Sequence, residues 1–154
     1  MSSVRSVFSL LLTTVFLLTG HGIHMTFLPL MASYIGLSQT VIGISGSVYF
    51  AGFILGAVVT PRIIAKVGHS RGFTTLMAVF LRCFQILPMT DLGVMWILVR
   101  FLLGAVMCGA YTVVESWLSN QADASTRGSV LGIYTVVILG AMVLGQGLLS
   151  MTYS

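Results

Sequence analysis

The chain alternates between long apolar segments and short polar links. Five segments stay apolar over about 20 residues, the length that a helix needs to cross the hydrocarbon of a bilayer. The predicted helices cover residues 7–30, 41–60, 73–87, 94–117 and 129–151. Pro61 is expected to end the second helix and Pro88 to close the third, because proline interrupts the helical hydrogen-bond pattern. The pattern predicts an all-α membrane protein, a polytopic transmembrane helix bundle in one domain over residues 1–154.

Composition supports a membrane rather than a soluble protein. Only 6% of the residues are charged and 57% are hydrophobic, and the mean hydropathy is +1.07. A soluble domain contains about 25% charged residues, so this chain could not cover its own surface in water. The lipid bilayer is therefore its expected partner. The sequence contains no basic block typical of a nucleic-acid-binding protein.

The positive charges outside the apolar segments all fall on one predicted side of the membrane. The links on the other side, residues 32–40 and 89–93, contain no Lys or Arg. Cytoplasmic links are enriched in these residues, so we expect a plasma-membrane protein with a cytoplasmic N-terminus. The residues concerned are Arg5, Arg62, Lys66, Arg71 and Arg127.

Two arginines lie within apolar segments, Arg82 near the middle of the third and Arg100 one to two turns into the fourth. A charge at such depth costs at least a few kcal/mol. The arginine needs an anionic substrate, a carboxylate elsewhere or backbone carbonyls, unless its side chain reaches the interface. We regard both as candidates for substrate binding or proton coupling.

His21 and His24 are three residues apart and so share one face of the first helix. Imidazole exchanges protons near neutral pH, which makes them candidates for proton coupling. The alternative is a pair of hydrogen-bonded histidines at a helix contact. Two histidines are weak evidence for a metal site, and no cofactor is expected.

Glu115 lies at the cytoplasmic end of the fourth helix. It can reach the basic links, where an ion pair with Arg62, Arg71 or Arg127 would act as a gate. The alternative is an interfacial carboxylate with no coupling role.

Glycines in the second and fifth helices predict close helix packing, because small residues let backbones approach. The main candidates are Gly52, Gly56, Gly140 and Gly145. Gly56 and Gly145 also align at the offset that relates Gly43 to Gly132. This alignment favours an inverted repeat of three helices plus three, with chance similarity between glycine-rich segments as the alternative.

Several motifs resemble those of the major facilitator superfamily. A loop signature between helices two and three is matched by Gly68 and its basic neighbours Arg62, Lys66 and Arg71, although Ala65 replaces the acid of that signature. The segment from Arg100 to Gly104 resembles the family's Arg-x-x-x-Gly motif, and the resemblance implies a role for Arg100 in proton coupling.

Two further segments extend the resemblance. Gly140, Gly145 and Gly147 resemble a motif of antiporters, but Gln146 replaces its proline, so exchange is only weakly favoured. The segments 115–118 and 127–128 resemble the YcaD-like branch. The resemblance implies a bacterial inner-membrane protein holding about five of twelve helices, that is, an incomplete N-terminal half.

The sequence thus predicts an ion-gradient-driven permease, or a non-functional N-terminal fragment of one. Its expected partners are a small-molecule substrate of unknown identity, protons and a complementary C-terminal half. The alternative is a small membrane scaffold that associates through glycine-rich helix faces. An enzyme is not expected, because the chain lacks the G-x-S-x-G, H-E-x-x-H and phosphate-loop motifs and has only three acidic residues.

Overall fold

The computed structural model describes residues 2–152, with side chains described for all of these except 2–7, 9 and 10. Within this part of the chain every long element is helical and no strand is present. All five α-helices are long and apolar enough to cross a membrane, which confirms the predicted five-helix membrane fold. They are α1 (Ser2–Tyr34), α2 (Gln39–Val67), α3 (His69–Ile86), α4 (Gly93–Gln121) and α5 (Arg127–Thr152).

The expectation that Pro61 ends the second helix was wrong. α2 continues past it to Val67, because a transmembrane helix tolerates proline when other groups satisfy the backbone that proline leaves unbonded. α2 ends instead at Gly68, whose N–H donates to the Ile64 carbonyl at 2.8 Å.

The links between helices are short and closed by local hydrogen bonds. Ser38 caps α2, where its hydroxyl accepts from the N–H of Val41 at 3.3 Å. A 3₁₀ turn over Leu87–Met89, which contains Pro88, follows α3. The buried indole of Trp96 donates to the Thr90 carbonyl at 2.9 Å and so ties the start of α4 to this link.

The chain forms two compact units. One comprises Met31–Val114, with α2, α3 and most of α4; the other comprises Met1–Leu30 and Glu115–Ser154, with most of α1 and all of α5. Large buried side chains are found in both. In the first unit they include Tyr49, Leu87, Trp96, Leu103 and Met107, and in the second Leu18, Leu28, Leu118 and Tyr134.

Candidate functional site

The central feature of the Met31–Val114 unit is a buried arginine on an aromatic ring. Arg100, on α4, is only 4% exposed, and its guanidinium carbon lies 4.8 Å from the centre of the Tyr49 ring on α2. The negative face of an aromatic ring attracts a cation, by about 2 kcal/mol where water is excluded. Burial against Tyr49 distinguishes Arg100 from an arginine that reaches out to the membrane interface.

The crossing of α2 and α4 fixes this pair in register. Gly104, one turn after Arg100, packs directly on the backbone carbonyl of Tyr49, and Gly52 packs in the same way on the carbonyl of Phe101. A Cβ atom at either glycine would overlap the opposing backbone. The Arg-x-x-x-Gly spacing therefore has a structural reason, because the glycine brings the Tyr49 backbone close enough for its ring to meet Arg100.

Further aromatic rings surround Tyr49. Its ring meets Phe50 edge-on, with centroids 5.5 Å apart, and Phe53 at 6.4 Å. Phe53 in turn lies 6.1 Å from Tyr111. The sequence analysis missed Tyr49; the available signal was a phenol in the middle of an otherwise apolar span.

The charge of Arg100 is not matched by an acid of its own unit. Asp91 is the single acidic residue there, and it lies exposed in the link before α4. Arg100 Nη1 has no hydrogen-bond partner among the described residues. Arginine keeps its proton in proteins, so this side chain acts as a fixed charge that can attract an anion or change the proton affinity of a nearby group.

His21 and His24 belong to the other unit. Both are buried, at 4% and 2% exposure, and their ring centroids are 6.0 Å apart at a tilt of 34°. The structure therefore brings the two imidazoles side by side within α1. Among the residues described, no group of three His, Cys, Asp or Glu side chains could hold a metal ion.

Arg82 does not share the environment of Arg100. It is exposed on α3, and its role in substrate binding or proton coupling stays a prediction. The buried residues of α3 are Gly72 and Cys83, which lie about 80–100° around the helix axis from Arg82.

The basic residues expected in a loop between helices two and three lie in helices instead. Arg62 and Lys66 belong to the last turns of α2, Arg71 belongs to the first turn of α3, and all three are exposed. The link itself is Gly68 alone, with φ of 81°, a conformation that favours glycine. None of the three cations forms an ion pair with a described residue of its own unit.

The remaining gating candidates lie on helix ends. Glu115 is exposed in the last two turns of α4, and Arg127 is the exposed first residue of α5. The N–H of Arg127 donates to the Asp123 carbonyl at 2.9 Å. Exposure at helix ends does not by itself show a gate, so the gating role of Glu115 and Arg127 stays a prediction.

Three of the four glycines expected at helix contacts lie at such contacts. Gly52 and Gly56 pack on the α4 backbone, and Gly145 packs on the carbonyl of Thr19 in α1. Gly140 is exposed, and a methyl group added there would have no neighbour within 4 Å. Five residues of helix place it about 140° around the axis from Gly145, and its role in helix packing stays a prediction.

The aligned glycines play corresponding parts in the two units. Gly56 packs on the Ala105 carbonyl of α4, and Gly145 packs on the Thr19 carbonyl of α1. In each unit the partner helix also contributes a glycine to the contact. Gly104 packs against the backbone of Tyr49, and Gly22 packs against the backbone of Met142. The inverted repeat stays a prediction.

Comparison of the sequence with known proteins identifies one family. The family model described as Major Facilitator Superfamily matches residues 10–154. The chain is 30% identical to an uncharacterized MFS-type transporter of Enterobacter sp. (strain 638), over 95% of this chain and 38% of the relative. It is 29% identical to the uncharacterized MFS-type transporter YcaD of Escherichia coli O9:H4, over 97% of this chain and 40% of the relative.

The chain thus spans about two fifths of the length of the curated relatives that it matches. No solved structure matches it.

Proposed function

Since the chain belongs to the major facilitator superfamily, we propose that its five helices form the N-terminal part of a secondary transporter for a small solute. The observation that carries this proposal is the family match from residue 10 to residue 154, which covers α2 to α5 in full and α1 from residue 10 onward. The protein is a multi-pass membrane protein with the lipid bilayer as its surroundings. The bacterial inner membrane and a cytoplasmic N-terminus are part of the proposal.

Arg100 is the residue that we propose for coupling. Its buried fixed charge lies between two helices that cross closely, with Tyr49 as its main neighbour. In a site with little water such a charge strongly favours binding of an anion or loss of a proton nearby. Coupling to a proton gradient is part of the proposal, with His21 and His24 as candidate proton carriers on α1.

Gating is proposed for the cytoplasmic helix ends. The Gly68 link is flanked by Arg62, Lys66 and Arg71. The acidic residue of the family's loop signature is replaced by Ala65 in this chain. Glu115 and Arg127 would provide the charges that form and break ion pairs as the transporter changes state. Transport by this chain is expected to require complementary helices, because its relatives are more than twice as long.

A reconstitution experiment tests the proposal. The chain is placed in liposomes alone, or after co-expression with the remaining three fifths of the E. coli relative, and an entrapped pH-sensitive dye reports proton flux. A panel of organic anions and neutral solutes is added under an imposed proton gradient. We expect solute-dependent flux only in the combined sample, and its loss in Arg100→Gln.

Two results would overturn parts of this account. Strong flux by the chain alone would contradict the need for complementary helices. A stable complex that moves no solute of the panel would contradict transport and favour the scaffold alternative.

A further inference from the structure

The Arg100 guanidinium has a stabilising contact for its charge but an unused hydrogen-bond donor. The Tyr49 ring centre lies 4.8 Å from its central carbon, whereas Nη1 is buried and has no hydrogen-bond partner among the described residues. Leaving a buried donor unbonded costs more free energy than an ordinary hydrogen bond contributes. Nη1 of Arg100 is therefore an atom at which a ligand oxygen would add a strong interaction.

An anion suits this donor better than a neutral acceptor does. Arginine keeps its charge in proteins, and the single acid of the Met31–Val114 unit, Asp91, lies exposed in the link before α4. Hydrogen bonds that involve a charged group are about twice as strong as neutral ones, and a carboxylate matches the planar shape of the guanidinium. The chemistry of the site therefore favours a carboxylate as its ligand.

Aromatic rings extend from this charge along the crossing of α2 and α4. The Tyr49 ring contacts Phe53 at a centroid distance of 6.4 Å, and Phe53 contacts Tyr111 of α4 at 6.1 Å. Tyr49 is almost completely buried, whereas Phe53 and Tyr111 are only partly buried. Aromatic pairs attract each other beyond the area that they bury. The uncovered surface of Phe53 and Tyr111 can therefore contact an aromatic group that is joined to the carboxylate.

We propose that Arg100 binds the carboxylate of an organic monoanion whose aromatic body lies against Phe53 and Tyr111. The proposal rests on the transport function proposed above, for which it names the class of solute. Nη1 provides the charged hydrogen bond, and the Tyr49 ring holds the guanidinium in place. Because Nη1 is closed off from solvent in this conformation, the side chains around it must move on binding, which lowers the apparent affinity. We expect a Kd of about 1 mM.

A carboxylate side chain of the complementary helices is a second source of the same chemistry. The rings beside Arg100 favour a solute, because the side chain of Asp or Glu carries no aromatic group to place against Phe53 and Tyr111.

Equilibrium dialysis against the purified full chain in dodecyl maltoside micelles tests the proposal. Radiolabelled phenylacetate is the probe, and empty micelles give the background. Phenylacetamide has the ring without the charge, and acetate has the charge without the ring. We expect phenylacetate to bind saturably, about tenfold more tightly than phenylacetamide and about fivefold more tightly than acetate. This comparison of ligands needs no substitution, so it does not depend on the folding of any variant.

Matched variants assign the two contacts. Arg100→Gln should weaken phenylacetate binding about tenfold, to the level of phenylacetamide, whereas the same loss of charge in Arg5→Gln should leave it unchanged. Phe53→Leu should reduce the preference for phenylacetate over acetate about threefold, and Phe84→Leu, on α3, should preserve it. Equal binding of phenylacetate and phenylacetamide, or phenylacetate binding that survives in Arg100→Gln, would overturn the proposal.

Co-expression with the part of the E. coli relative that this chain does not cover separates the two sources of the carboxylate. Phenylacetate binding that persists in the complex supports a solute site. Its loss would assign the carboxylate to a side chain of the added helices and overturn the proposal.

The flux measurement separates the class of solute from the transport function itself. Flux of neutral solutes alone would overturn the anionic class and leave transport intact. Phenylacetate binding without flux of any solute would support the anion site while it contradicts transport.

Discussion

The guanidinium carbon of Arg100 lies 4.8 Å above the ring of Tyr49, and both side chains are almost completely buried. A buried charge that loses its partner is strongly destabilising, whereas replacement of the whole pair by apolar residues is often neutral or favourable. Loss of the Tyr49 ring and loss of the Arg100 charge are therefore expected to affect the free energy of unfolding in different directions.

Loss of the Tyr49 ring should leave Arg100 without its main stabilising contact. We expect Tyr49→Leu to reduce the free energy of unfolding by about 3 kcal/mol, and Tyr49→Phe, which keeps the ring, by about 1 kcal/mol. Denaturation of the purified chain by increasing fractions of dodecyl sulfate in mixed micelles measures both. If Tyr49→Phe reduces the free energy of unfolding as much as Tyr49→Leu does, the ring does not stabilise the guanidinium.

Loss of the Arg100 charge should harm coupling more than folding. Arg100→Met should leave the free energy of unfolding unchanged or raise it by about 1 kcal/mol, because no buried charge remains to be desolvated. In that background Tyr49→Leu should cost less than it does beside Arg100. A large loss of stability in Arg100→Met would assign the residue a structural role instead.

Glycine substitutions in α5 test the crossing of α1 and α5. A methyl group at Gly145 would overlap the Thr19 carbonyl, so Gly145→Ala should cost about 1–3 kcal/mol. Gly140→Ala is the matched control on the same helix, where open space allows a gain of up to about 1 kcal/mol from helix propensity. Both values come from the same micelle titration, and equal effects would contradict the packing described for Gly145.

The number of helices could be predicted from the sequence because a membrane requires long apolar segments. The contacts of Gly52, Gly56 and Gly145 could also be anticipated, since small residues are the usual means of close packing in lipid. The side of a helix on which a residue lies could not be predicted, which is why Gly140 was grouped with Gly145. Hydropathy does not show which face of an apolar helix meets a neighbour.

The two arginines illustrate the same limit for the candidate site. Both interrupt an apolar segment, and their predicted depth in the membrane did not distinguish which of them is buried. Their environments differ because Gly104 brings α2 close to Arg100, whereas Arg82 is exposed on α3. Pro61 was misjudged for a related reason: rules for proline in water overestimate its ability to end a helix in lipid.

We propose that these helices cross a bilayer with their basic ends in the cytoplasm. The most direct test uses single-cysteine variants Lys66→Cys and Asp91→Cys, in a background without the native cysteines, labelled in intact cells by a membrane-impermeant reagent. We expect Asp91→Cys to react from outside and Lys66→Cys to react only after the cells are opened. Labelling of both from the same side would contradict the account.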